Sequence, residues 1–112
     1  MKAQIRPCAE CPWRRDALGQ FTPERFIALA HTAYDMSMVQ FACHKSPEGG
    51  EFACAGFLER GADHNLAVRL CYISGAYERL DRSGGVDLVD DYREMAIRMG
   101  IPACHPALRP CR

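Results

Sequence analysis

Cys8-Ala9-Glu10-Cys11 places two thiols within one short turn, and Cys43, followed by His44, and Cys54 come later in the chain. Nothing else in the sequence constrains the fold as strongly. A C-x-x-C turn lets both sulfurs face one ion, and two further soft donors complete a tetrahedron. The expected ligands are Cys8, Cys11, Cys43 and Cys54. His44 is the alternative to Cys54 as fourth ligand, or a group that orients a neighbouring sulfur or carbonyl. An ion bound this way would build the protein, because it ties an irregular start to distant segments.

Energetics favour such a tether. Pro7, Pro12 and Gly19 interrupt residues 1–20, which carry little apolar surface to offset their ordering entropy. Joining Cys11 to Cys43 closes a loop of about thirty residues, at a cost of roughly 3 kcal/mol before the constant term. Structural zinc in small domains contributes about 10–16 kcal/mol of apparent binding energy, well above that cost. Trp13, just after the chelating turn, is expected to pack on the helices and shield the sulfurs.

The compartment matters for reading the thiols. The chain has 112 residues and seven cysteines, enough for one modest core. Its N-terminus lacks the apolar h-region of a secretory signal, and no apolar run is long enough to cross a bilayer. The expected location is the cytoplasm, where clustered thiols bind metal or do redox chemistry more often than they form disulfides.

The formal net charge is zero, which is unlike a typical nucleic-acid binder. The charges are uneven, however. Arg6, Arg14 and Arg15 crowd the start and are candidate partner-binding residues, while Asp87, Asp90, Asp91 and Glu94 form an acidic face. Arg14, Arg15 and Lys45 are also placed in sequence to offset the charge of a four-thiolate site. A protein partner is expected. Nucleic-acid contact is the weaker variant, since no series of stacking aromatics accompanies the arginines.

Between the ligand segments the apolar spacing predicts helices over 22–40, 64–82 and 87–100. Thr22-Pro23-Glu24 is a good start for the first, with Phe26, Leu29, Ala30, Ala33 and Tyr34 on one face. Leu66, Leu70, Ile73, Tyr77 and Leu80 give the second an unbroken stripe, with Asp63 or Asn65 as cap and Gly75 inside it. Asp87 is the expected cap of the third, Leu88, Tyr92, Met95, Ala96 and Met99 its apolar face, and Gly100 its end. Residues 50–58 can pair briefly as strand. The predicted fold is mostly α: a small single domain of about three helices, a metal-tethered N-terminal arm over 1–20, few or no strands, and an extended tail over 101–112.

Zinc suits a closed four-sulfur site that needs no redox partner, and a [4Fe–4S] cluster is the alternative. Catalysis is the less favoured reading. A Cys8-Cys11-His44 zinc triad with Glu10, Glu48 or Glu51 as base would make a hydrolase-type enzyme. The chain nevertheless lacks the H-x-E segment of the zinc deaminases. A thioredoxin-like site fails too, because no strand leads into the C-x-x-C and no helix starts on it. The favoured function is a non-catalytic interaction module with a structural metal. An iron–sulfur redox sensor or regulator is the alternative.

Taken together, Pro7-Cys8-x-x-Cys11-Pro12-Trp13-Arg14-Arg15-Asp16, Gly19-x-Phe21, Phe41-x-Cys43-His44-Lys45-Ser46-Pro47-Glu48-Gly49 and Cys54-Ala55-Gly56-Phe57-Leu58 resemble a family of short bacterial and phage proteins, a domain of unknown function. The resemblance covers roughly residues 7 to 100, including the Tyr92-x-Glu94-Met95-Ala96 helix. It implies that Cys8, Cys11, Cys43 and Cys54 form the family's four-cysteine constellation, and it implies no activity. Its phage association suggests a host-directed binder, such as an inhibitor of a defence complex. The tail is expected to lie beyond the pattern. There Cys104, His105 and Cys111, with Cys71, are weighed as a second ion site against surface thiols on an extended tail. Cys71 by itself reads as a small buried hydrophobe.

Overall fold

The computed structural model describes residues 2–17, 21–46 and 50–112. Gly19, Pro47, Glu48 and Gly49, which the sequence motifs include, lie outside them. The fold is mostly helical, as expected. In chain order it runs β1 (Lys2–Ala3), α1 (Pro23–Leu29), β2 (Phe52–Ala53), α2 (Ala55–Arg60), α3 (Leu66–Ser74) and α4 (Tyr92–Arg98), with 3-10 turns at Ala30–Ala33 and Pro106–Leu108.

Trp13 sits at the centre of this arrangement. Its ring is fully buried, edge-on to Phe41 and Tyr92 and tilted against Phe57, with centroids 5.7–6.2 Å away. The arm around it is held by backbone pairing. Arg15 N–H donates to the Asp87 carbonyl, and Val89 N–H donates to the Trp13 carbonyl, each at 2.9 Å. At the chain start, β1 pairs in parallel with β2, Lys2 opposite Phe52 and Ala3 opposite Ala53. On its other side β2 bridges to Ala42, so one short strand is gripped from both edges.

The first helix is shorter than expected. Pro23 opens it as predicted, but α-helical structure stops at Leu29 and a 3-10 turn runs to Ala33. Residues 34–40 then leave the helix, with Met36 in the left-handed region at φ 64°. The reason is a competing set of long-range bonds. The buried Asn65 amide donates to the Thr32 and Val39 carbonyls, and Met36 N–H reaches the His64 carbonyl. Asn65 also caps α3 by accepting from Val68 N–H at 3.0 Å.

The second helix also ends early, and its stripe faces outward at Leu70, Ile73 and Leu80 while Tyr77 is buried. Gly75, at φ 83°, terminates α3 instead of lying within it, so Tyr77 and Leu80 are beyond the helix. Val68 is the buried residue of α3, whereas Leu70 and Ile73 are 47% and 80% exposed. Helix α4 begins at Tyr92 with Asp91 as its cap, because residues 87–89 are taken up by pairing with 13–15. Its far end matches expectation at Gly100, φ 103°. Helix α2 was not anticipated: six residues are too few to show a helical period.

The tail is packed rather than extended. Ile101, Leu108 and Cys111 are buried, Arg112 N–H donates to the Ala33 carbonyl, and the Arg93 guanidinium donates to the Leu108 and Arg109 carbonyls. Burial pushes the Cys111 thiol up to about 11 and also raises the Tyr92 phenol, whose hydroxyl donates to the Phe26 carbonyl. Both groups are held neutral, so their folded values exceed the unfolded ones. The Cys111 contribution is complete below about pH 9 and falls away as the pH climbs toward about 11, and that of Tyr92 is lost only at higher pH. Thermal melts in reductant are therefore expected to weaken across that window, and Cys111→Ala should flatten the fall. An unchanged slope in the variant would remove this thiol from the account.

Candidate metal centre

The C-x-x-C turn is closed by Cys11 N–H donating to the Cys8 carbonyl at 3.2 Å, and Arg14 N–H repeats the step onto Cys11 at 3.1 Å. These turns aim backbone donors at sulfur. Cys8 faces the N–H of Glu10, and Cys11 faces those of Trp13 and Gly56. The other two cysteines are set by the β2 pairings. Cys43 N–H donates to the Phe52 carbonyl at 2.7 Å, and Cys54 N–H donates to the Phe41 carbonyl at 2.9 Å. Ser46 fastens the intervening loop by accepting from Phe52 N–H at 2.8 Å.

Two groups of donors result. The ligating atoms of Cys8, Cys43 and His44 all lie within 4.8 Å of one another, and this trio can hold a metal ion. Beside it, the Cys11 and Cys54 sulfurs stand 3.7 Å apart. Two sulfurs bound at about 2.3 Å to one tetrahedral ion are separated by about 3.8 Å. Cys11, Cys43 and Cys54 are 1%, 5% and 3% exposed, so any ion they bind is shut away from water on that side.

The electrostatics describe thiols competing for charge. Cys54 donates toward Cys11, which raises Cys54 well above the usual thiol range, with burial adding to the effect. Cys11 is lowered, first by that bond and then by the N–H groups of Trp13 and Gly56. Cys8 is pushed up to about 11, by burial first and then by the charges of Cys43 and Cys11. Ligation by a dication would replace the protons that keep these sulfurs neutral.

Cations lie around the cluster, in part as expected. The Arg14 guanidinium contacts the Cys8 carbonyl at 3.4 Å, pairs with Asp16, and senses the Cys11 and Cys8 sulfurs. Lys45 is held by Glu10 at 2.7 Å and senses Cys8 and Cys43. Arg15 instead pairs with Asp90 at 3.0 Å and Glu94 at 3.1 Å, inside the acidic cluster. Arg6 is exposed.

His44 is packed edge-on against Phe21 at 5.3 Å, and its buried Nε2 lies 3.6 Å from Glu10 with no hydrogen-bond partner among the described residues. The sequence did not single out Phe21 for the site, nor the Gly56 N–H as a donor to sulfur. Both contacts come from segments remote in the chain and carry no local signal.

The remaining cysteines go elsewhere. Cys104 is exposed, the Cys111 thiol points at the Ala30 and Ala107 carbonyls, His105 Nδ1 accepts from Ala107 N–H, and Cys71 is partly buried beside Tyr77. Among the described residues no second group of three ligating side chains converges.

A family model matches residues 3–112. The tail, expected to fall outside the family pattern, is therefore inside it, in keeping with its buried side chains. No curated protein and no solved structure matches the chain. On the strength of the family match, the chain belongs to DUF6283, a family of unknown function.

Proposed function

We propose that the chain binds one ion in a closed structural site formed by Cys8, Cys11, Cys43 and Cys54, and acts in the cytoplasm as a non-catalytic interaction module. The observation that carries this reading is the Cys11–Cys54 pair, at a separation suited to a shared tetrahedral ion, beside the Cys8, Cys43 and His44 trio whose thiol charges it senses. Donor chemistry favours Zn2+, since thiolates and an imidazole suit zinc and the carboxylates nearby are engaged by Lys45 and Arg14. In this reading His44 stays beside the sulfurs and directs its Nε2 toward Glu10. Catalytic zinc keeps a position open for water. Burial of three of the four sulfurs argues for a closed site instead.

Elemental analysis of protein purified without air tests the proposal. The expected result is a colourless protein with one equivalent of zinc. A brown protein containing iron and sulfide would replace zinc with a [4Fe–4S] cluster, and a folded protein free of metal would overturn the site altogether.

A further inference from the structure

The outward stripe of α3 borders a groove of about 420 Å³ that the metal site does not use. Its apolar surface comes from Leu58 at the end of α2 and from Val68, Tyr72 and Ile73 of α3. Its charged lining is Arg69, Arg79 and Asp63, two cations against one carboxylate. Arg79 lies over the Tyr72 ring at 4.4 Å, and Arg69 donates through Nε to the Asp63 carbonyl at 2.9 Å. Both are exposed, and among the described residues neither guanidinium has a carboxylate within 4.0 Å.

This contrasts with the arginines at the chain start. Arg14 and Arg15 spend their charge on Asp16, Asp90 and Glu94, whereas Arg69 and Arg79 hold theirs beside apolar surface. Helix α3 adds Leu70 next to Ile73, so apolar area continues from the groove onto the open face of the helix. A stripe of this kind costs solubility unless a partner covers it.

We propose that this groove docks an acidic, amphipathic segment of a partner protein. One or two bulky apolar side chains would enter between α2 and α3, and flanking carboxylates would pair with Arg69 and Arg79. Aliphatic lining favours a peptide over nucleic acid, which would call for more cations and more stacking surface. The inference rests on the interaction-module reading and moves its contact surface away from Arg6, Arg14 and Arg15.

The test uses metal-loaded full-length protein and two short peptides, one alternating leucine with glutamate and the other alternating leucine with lysine. Nuclear magnetic resonance shifts map the contact and calorimetry gives affinity. The glutamate peptide is expected to bind, with shifts centred on Val68, Tyr72 and Ile73. Arg79→Glu should weaken it about tenfold or more and transfer preference to the lysine peptide. Ile73→Asp should abolish binding of both peptides with the fold intact by circular dichroism.

Equal binding of the two peptides, no binding at millimolar concentration, or shifts mapping elsewhere would overturn the proposal. So would a concentration-dependent dimer dissolved by Ile73→Asp, which would assign the face to a second copy, or preferential binding of a ribo-oligonucleotide. Metal content measured on the same samples keeps the claims apart. Full metal without peptide binding sinks the groove alone.

Discussion

Cys11→Ser is expected to unfold the whole domain, not merely to loosen its N-terminal arm. A neutral serine hydroxyl is a poor ligand for a soft-donor site, so the ion would lose its hold. The apparent binding energy of structural zinc, about 10–16 kcal/mol, is comparable to or larger than the total stability of a small domain, about 5–15 kcal/mol. The extent of unfolding follows from where the arm leads. Two residues after Cys11, Trp13 fills the middle of the core against Phe41, Phe57 and Tyr92. Residues 13–15 also hold 87–89 in place just ahead of α4. Withdrawing a buried tryptophan removes about 3–5 kcal/mol by itself, before any loss of the ion.

Since Trp13 is the chain's one tryptophan, its fluorescence reports the core directly. Emission should move to that of a solvated indole together with loss of helical dichroism, and metal should be absent. Chelation of the wild-type protein should give the same result. Cys104→Ser, at an exposed thiol, should change stability by no more than about 0.5 kcal/mol. A folded Cys11→Ser protein with a full complement of metal would refute the structural role.

How much of this was legible in the sequence depended on how local each signal was. The C-x-x-C turn, Pro23 at a helix start and Gly100 at a helix end are read within a few residues, and the structure has each feature where the sequence put it. The stripe of α3 was legible as a pattern, but its direction was not. Leu66, Leu70 and Ile73 look the same whether the chain covers them or a partner does, and Tyr77 and Leu80 continued the spacing past Gly75. Asp87 and Asp91 are equally good caps in isolation. Pairing of 87–89 with the arm settles the choice for Asp91, and that pairing has no local trace. Burial of the tail failed to show for the same reason. Ile101, Leu108 and Cys111 are spaced irregularly and acquire a purpose only against Ala30–Ala33 and α4.

Gly56→Ala should be strongly destabilising, although it adds a single methyl group. A Cβ at this position would lie 2.4 Å from Trp13 Cβ and 2.7 Å from its Cγ. Such contacts usually relax when the neighbour is the free end of a side chain. Here the neighbour is the root of Trp13, so the backbone of the chelating turn must move with it. Because the Gly56 N–H faces the Cys11 sulfur, that movement also changes the sulfur's surroundings. Overpacking a core costs about 1–3 kcal/mol and occasionally more, and this site lacks the usual relief. We expect a loss of at least about 3 kcal/mol together with weaker metal retention against a chelator. Gly75→Ala makes the informative comparison. Its Cβ meets nothing within 4 Å among the described residues, and its cost is that of the left-handed backbone at φ 83°, about 1–2 kcal/mol. Metal retention should be unchanged there. Denaturant melts and chelator competition on the two variants check both halves. If Gly75→Ala proved the more damaging, or if Gly56→Ala held its metal as firmly as the wild type, the packing of α2 against the chelating turn would not be what fixes the site.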